Sequence, residues 1–165
     1  MIHIEKYKEE HFSSVRAIAK EVWPNVYGTI LSAEQLDYMM EMMYSVAALQ
    51  NQVNKLQHHF IVAKENEECI GFASFEYNYK ETNATKIHKI YIYTHQQGKG
   101  IGTQLIDYIA CEAKSAAQNA LSLNVNRNNT ALDFYRRLGF VVQKEEDIPI
   151  GNGFLMEDYV MEKPI

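Results

Sequence analysis

A glycine-rich segment is the part of the sequence best suited to holding an anion. Residues 97–103 read Gln-Gly-Lys-Gly-Ile-Gly-Thr and lie between a predicted strand and a predicted helix. At the start of a helix the first backbone N–H groups lack partners and carry the positive end of the dipole. Glycine permits positive φ and close approach of a phosphate. A tight turn that only packs the helix against the sheet explains the same residues, so both interpretations stay open.

The spacing of these glycines differs from two common nucleotide-binding motifs. Lys99 is not followed by Ser or Thr, as the lysine of a Walker A loop is. Gly98, Gly100 and Gly102 alternate, whereas the dinucleotide fingerprint requires Gly-x-Gly-x-x-Gly. The segment therefore predicts an anion site of another class.

Hydrophobic periodicity predicts the elements that position this segment. Apolar residues at helical spacing predict a helix that starts at Phe12 and ends at Pro24. Ser32 and Gln35 have the form of a capping box, which starts a helix that bends near Tyr44 and Ser45. Further helices are predicted at 100–117 and 129–138. Strands are predicted at 1–7, 60–63, 70–77, 86–93, 121–125, 140–143 and 154–161.

The order of these elements indicates an α/β fold. An antiparallel first half precedes alternating strands and helices, so we expect a mixed, mostly antiparallel central sheet flanked by helices. Repeats and linker-like stretches are absent from the sequence, which predicts a single domain over residues 1–165.

Two motifs in order carry a family resemblance. The first is Gln/Arg-x-x-Gly-x-Gly/Ala, matched by Gln97, Gly100 and Gly102. The second is Asn-x-x-Ala-x-x-Phe-Tyr-x-x-x-Gly-Phe, matched by residues 128–140. Together they resemble the GNAT superfamily of N-acetyltransferases, and the long helical stretch at 33–56 is similar to the bacterial polyamine acetyltransferases.

This resemblance implies acetyl-CoA as cosubstrate and a set of binding residues. The strand before the turn would pair with the pantetheine arm, the turn would hold the pyrophosphate, and Tyr135 would protonate the leaving thiolate. The backbone near Ile92 would polarise the acetyl carbonyl. The implied cofactor-binding residues are Ile90, Tyr91, Ile92, Gln97, Gly98, Lys99, Gly100, Ile101, Gly102, Thr103 and Asn128.

Two residues are candidates for the general base that deprotonates the amine. His88 lies on the predicted central strand, and its ordinary pKa near 6.5 suits proton transfer at neutral pH. Glu76 on the preceding strand could accept the proton or anchor a cationic amine. A sheet histidine without function and a solvated carboxylate are the alternatives. The other histidines show no ligand spacing or carboxylate pairing, which predicts no metal: His3, His11, His58, His59 and His95.

Composition limits the partners. The chain has 165 residues and a net charge of -5, so it lacks the basic field that nucleic-acid binding requires. The start of the sequence does not resemble a signal peptide, and no apolar run reaches membrane-spanning length. We therefore expect a cytoplasmic enzyme acting on a small-molecule or peptide amine, with a homodimer plausible by family analogy. A CoA-binding module without turnover, or a nucleotide-binding protein whose turn mimics this family, are the alternatives.

Overall fold

The computed structural model describes residues 1–165 and contains one seven-stranded sheet in the order β1-β2-β3-β4-β5-β7-β6. All neighbouring strands are antiparallel except β4 and β5, which are parallel. The expected mixed, mostly antiparallel sheet is confirmed. The strands are β1 (Ile2–Lys6), β2 (His59–Glu65), β3 (Glu68–Glu76), β4 (Ala84–Ile92), β5 (Ala120–Asn126), β6 (Val141–Gly151) and β7 (Phe154–Pro164).

Five helices cover the two faces of this sheet. They are α1 (Phe12–Tyr27), α2 (Ala33–Tyr44), α3 (Val46–Asn54), α4 (Ile101–Ser115) and α5 (Leu132–Arg137). One hydrophobic cluster joins α4 and α5 to one face, and a second joins α1, α2 and α3 to the other. Adjacent residues of β3 and β4 feed both clusters because side chains alternate across a strand.

The parallel strands β4 and β5 separate from each other towards one end of the sheet. The last paired residues are Ile87 and Leu123, although β4 continues to Ile92. A β-bulge lies at the same place, because Phe75 of β3 pairs with Ile87 and Ser74 with Lys89. The residue between them, His88, is therefore the extra residue of the bulge. Bulges redirect side chains, and this one sits where the strands separate.

The start of α1 agrees with the sequence, but its end does not. The helix continues through Pro24 to Tyr27, and Gly28 N–H donates to the Pro24 carbonyl at 2.9 Å. Proline removes one helical hydrogen bond, and burial of Val22 and Trp23 offsets that loss.

Only half of the predicted capping box forms. The Ser32 hydroxyl accepts from Gln35 N–H at 3.1 Å, but the Gln35 side chain donates to the Leu155 carbonyl instead of returning to Ser32. The predicted break is confirmed: Ser45 is extended between α2 and α3 and its hydroxyl accepts from Ala48 N–H. A long hairpin supplies the partner for Gln35, which a local motif does not reveal.

That hairpin is the largest departure from the sequence prediction. We expected a short strand at 140–143, but β6 runs over 11 residues and pairs with β7 along its length. The turn uses Gly151, Asn152 and Gly153, all at positive φ. The Tyr38 hydroxyl of α2 donates a hydrogen bond to the Ile150 carbonyl at 2.8 Å, which fixes the hairpin to α2. Separately, α4 and α5 are each shorter than the helices predicted at 100–117 and 129–138.

Candidate active site

A cavity of about 570 Å³ lies where β4 and β5 separate. One wall is the exposed edge of β4, a second is the turn that begins α4, and a third is α5. Gly98 and Gly100 have φ of +80° and +79°, a backbone conformation that side chains rarely adopt. Gly102 allows close packing, since a Cβ there would lie 3.0 Å from the Phe134 ring. The turn therefore presents backbone N–H groups at a helix start, as an anion site requires.

Most of the predicted cofactor residues line this cavity, and two do not. Lys99 lies outside the lining and donates to Gln96 Oε1 at 2.7 Å. Asn128 is exposed and also lies outside it, while its neighbour Asn129 lines the cavity. The Asn129 side chain accepts from Ala131 N–H at 2.9 Å, so it caps the entry to α5. The predicted residues that line the cavity are Ile90, Tyr91, Ile92, Gln97, Gly98, Gly100, Ile101, Gly102, Thr103 and Tyr135.

Replacing Gly100 by alanine is expected to weaken acetyl-CoA binding by about tenfold. A left-handed alanine costs roughly 1–2 kcal/mol, so the turn relaxes away from the geometry that presents its N–H groups, and about 1.4 kcal/mol corresponds to tenfold in Kd. Gly153→Ala is the matched control, because Gly153 has φ of +77° and, like Gly100, open space around its Cβ position. Calorimetric titration should show a raised Kd only for Gly100→Ala. Equal Kd values for the two variants would contradict the role of the turn.

Tyr135 is held at the wall of this cavity by α5. The side chain is 8% exposed, and its ring packs edge-on against Phe140 with centroids 5.8 Å apart. Burial, and then the nearby Tyr27 phenol, raise the pKa of Tyr135 well above its ordinary value. The phenol is therefore protonated at neutral pH, as a proton donor must be.

The two base candidates are brought together, with a third residue that the sequence did not indicate. His88 Nε2 lies 3.0 Å from Glu76 Oε1, and His58 Nε2 lies 3.2 Å from the same oxygen. The two imidazoles stack with centroids 3.9 Å apart. His88 lines the cofactor cavity, whereas Glu76 is not part of the cavity lining and contacts His88. The expectation that His58 lacks a carboxylate partner was wrong, because the pairing crosses from the start of β2 to the end of β3. His11 likewise pairs with Glu5, at 3.2 Å.

Burial controls the protonation of this cluster. It lowers the pKa of His88 far below the ordinary value, and His58, Lys89 and Lys86 add electrostatic repulsion in the same direction. It also lowers the pKa of His58 to about 4. Burial raises the pKa of Glu76, and Lys86 opposes this. Both imidazoles are therefore neutral at pH 7, and His88 is a weaker base than its ordinary pKa near 6.5 led us to expect.

The same three side chains have the atoms that a metal ion uses. Their ligand atoms lie within 4.8 Å of one another, and two imidazoles with one carboxylate form a common zinc ligand set. However, Lys86 and Lys89 place positive charge beside the cluster, which disfavours a cation. The absence of a metal therefore stays our prediction.

A second cavity, of about 460 Å³, lies on the face of the sheet that α1, α2 and α3 cover. It shares a wall with the first cavity. Tyr27, Ile87, His88, Lys89, Tyr91 and Asn124 line both cavities. The two cavities therefore adjoin at the place where β4 and β5 separate.

A hydrogen-bonded group of charged residues lies at one end of the second cavity. Asn124 accepts from Lys86 Nζ, and its amide donates to Asp158 at 3.3 Å and to Glu146 at 3.4 Å. Asp158 is 2% exposed, and burial raises its pKa. Lys144 lies 3.9 Å from Glu146 and Arg127 donates to the Asp158 carbonyl, so cations flank both carboxylates.

Comparison with known proteins identifies the family. A family model described as acetyltransferase (GNAT) domain matches residues 29–163. The chain belongs to the GNAT family. The matched domain is an acetyltransferase domain, and one similar solved structure contains coenzyme A.

Three relatives of this GNAT enzyme carry the comparison further. The crystal structure of PaiA N-acetyltransferase from Thermoplasma acidophilum in complex with coenzyme A has a TM-score of 0.85 at 25% identity, covering 100% of this chain and 99% of that chain. Spermidine N(1)-acetyltransferase from Thermoplasma acidophilum is 26% identical over 161 residues, 94% of this chain and 96% of that protein. L-amino acid N-acyltransferase MnaT from Escherichia coli is 29% identical over 85 residues, 50% of this chain and 49% of that protein. For two curated relatives, MnaT among them, the match spans less than half of the relative's length.

None of the helices combines the length and the apolar composition needed to cross a lipid bilayer.

Proposed function

We propose that this GNAT enzyme moves an acetyl group from acetyl-CoA directly to the primary amine of a small molecule, polyamine-like in the first instance, or of a peptide. The observation that carries the proposal is the wall shared by the two cavities, where His88 meets both. The names of the relatives, which include a spermidine and an L-amino acid acyltransferase, support a small amine as acceptor.

The proton path begins at the acceptor amine. We assign the Nε2 proton of His88 to the contact with Glu76 Oε1, which leaves Nδ1 free to accept the amine proton. Glu76 then stabilises the resulting imidazolium, and His58, which stacks on His88, contacts the same carboxylate oxygen. His88 is thus the base, Glu76 supports its charge, and His58 is a positioning residue.

The second proton transfer is assigned to Tyr135. When bound, acetyl-CoA supplies the acetyl group as a thioester. Backbone N–H groups near Ile92 would polarise the acetyl carbonyl, since β4 has no partner strand there on the cavity side. Tyr135 donates its phenol proton to the departing sulfur, so no covalent bond to the protein is needed.

Thiol release from acetyl-CoA across a panel of polyamines, amino acids and lysine peptides tests the proposal. Saturable turnover with one amine class, and none without an amine, is the expected result. Calorimetric binding of CoA with no thiol release from any amine would favour a CoA-binding module instead. The proposal also places the activity in one domain over residues 1–165, in the cytoplasm, with a homodimer left as a prediction.

A further inference from the structure

Lys89 is a buried cation for which the protein supplies no anion. The side chain is 7% exposed and lines both cavities. Its ammonium donates to the neutral amide of Gln52, and lies 5.5 Å from the ring centroids of both Tyr44 and Phe60. Burial is the sole influence on its pKa, which is lowered to about 8, so no carboxylate charge offsets it. A buried charge without a counter-charge is among the most costly arrangements in a protein.

The residues around Lys89 offer its ammonium no charged acceptor. Lys89 lies over the ring of Tyr44, which packs against the Trp23 indole with centroids 5.8 Å apart. Trp23 and Tyr44 are both buried, and the indole N–H faces the Tyr44 hydroxyl, so these two groups serve each other. An ammonium can only donate hydrogen bonds, so a ligand group that satisfies Lys89 must accept them.

The positive charge of Lys89 disfavours an acceptor that carries only positive charges. A polyamine would place another ammonium beside Lys89, and like charges in a desolvated cavity repel strongly. We propose that Lys89 binds a carboxylate of the acceptor, so that the acceptor is an amino acid. This inference rests on the proposed amine acetylation and replaces the polyamine-like acceptor with an amino acid.

The position of Lys89 also limits the distance between the carboxylate and the reacting amine. Lys89 follows His88 directly on β4, and both line the wall shared by the two cavities. In an α-amino acid the amine and the carboxylate are attached to one carbon, which matches adjacent binding groups. An apolar amino-acid side chain fits the remaining wall, which comprises Leu31, Met39, Met43, Leu56, Ile148, Leu155 and Met156.

Pairs of ligands that differ only in the carboxylate test this subsite. We would measure kcat/KM for L-leucine, L-methionine and L-phenylalanine against their primary amides, with spermidine alongside. A charge-assisted hydrogen bond is worth about 1.5–3 kcal/mol, so the wild type should favour each acid over its amide by about 10- to 100-fold. Lys89→Met keeps the apolar stem and should abolish that preference. Lys80→Met, at an exposed lysine of the same cavity, is the control and should retain it.

Several outcomes would overturn the subsite. The first is equal kcat/KM values for acid and amide in the wild type, and the second is a preference for spermidine. The third is an equal loss of kcat for both ligands in Lys89→Met, which would indicate that Lys89 transfers a proton. Calorimetric titration of CoA-bound protein with the same pairs separates this inference from the proposed function. Acid-selective binding without thiol release would support the subsite and reject the acetyl transfer. Turnover without acid selectivity would do the reverse.

Discussion

Tyr135→Phe is expected to lower kcat by about 10²- to 10⁴-fold, the range for loss of a general acid. The substitution removes one hydroxyl and leaves the ring that packs against Phe140. Without the phenol proton, a thiolate must leave uncompensated into a buried cavity. The ring contacts persist, so calorimetry should give a Kd for CoA near that of the wild type. Single-turnover thiol release then measures the chemical step separately from product release.

Tyr108→Phe is the control for this experiment. Tyr108 lies on α4 and lines neither cavity, so its loss of a hydroxyl should leave kcat unchanged. An unchanged kcat in Tyr135→Phe would show that Tyr135 is not the acid. A fall in kcat together with lost CoA binding would assign the residue a packing role.

Glu76→Gln is expected to lower kcat/KM by about 10²-fold, a magnitude typical for loss of support to a general base. Glutamine keeps an oxygen near His88 but carries no negative charge, so the imidazolium that forms during transfer is no longer stabilised. Burial already lowers the pKa of His88, which makes it a weak base that depends on this charge. The thiol-release assay at saturating acetyl-CoA measures the loss.

The pH profile distinguishes this role from a structural one. Burial raises the pKa of Glu76, so acidification protonates it and removes the charge that supports His88, whereas glutamine does not titrate. The acidic limb of kcat/KM should therefore move to lower pH in Glu76→Gln, while the plateau falls. Glu68→Gln, at the exposed start of the same strand, is the control and should change neither. A reduced plateau with an unmoved acidic limb would argue against the pairing of Glu76 with the base.

Local motifs were the most predictable part of this site. The glycine turn and the segment around Tyr135 are contiguous, and their geometry depends on residues close in sequence. Asn128 and Asn129 mark the limit of such reasoning, because both fit a helix start and only the folded loop turns Asn129 to the cavity. The length of β6 was missed for a related reason. Residues 144–147 are all charged and Pro149 follows, so the sequence lacks the run of apolar and β-branched residues that predicts a strand.

The sequence by itself determined the family, the order of elements along the chain and the turn that precedes α4, since each depends on local patterns. Only the tertiary structure decided the contact of His58 with Glu76 and the shared surroundings of Lys89 and Trp23. These contacts join β2 to β3 and α1 to β4. Their partners are distant in sequence, and no local periodicity records which side chains meet once the helices cover the sheet. The cofactor turn could therefore be predicted from motifs, whereas the pairing of the base candidates with each other and with His58, and the acceptor subsite, required the fold.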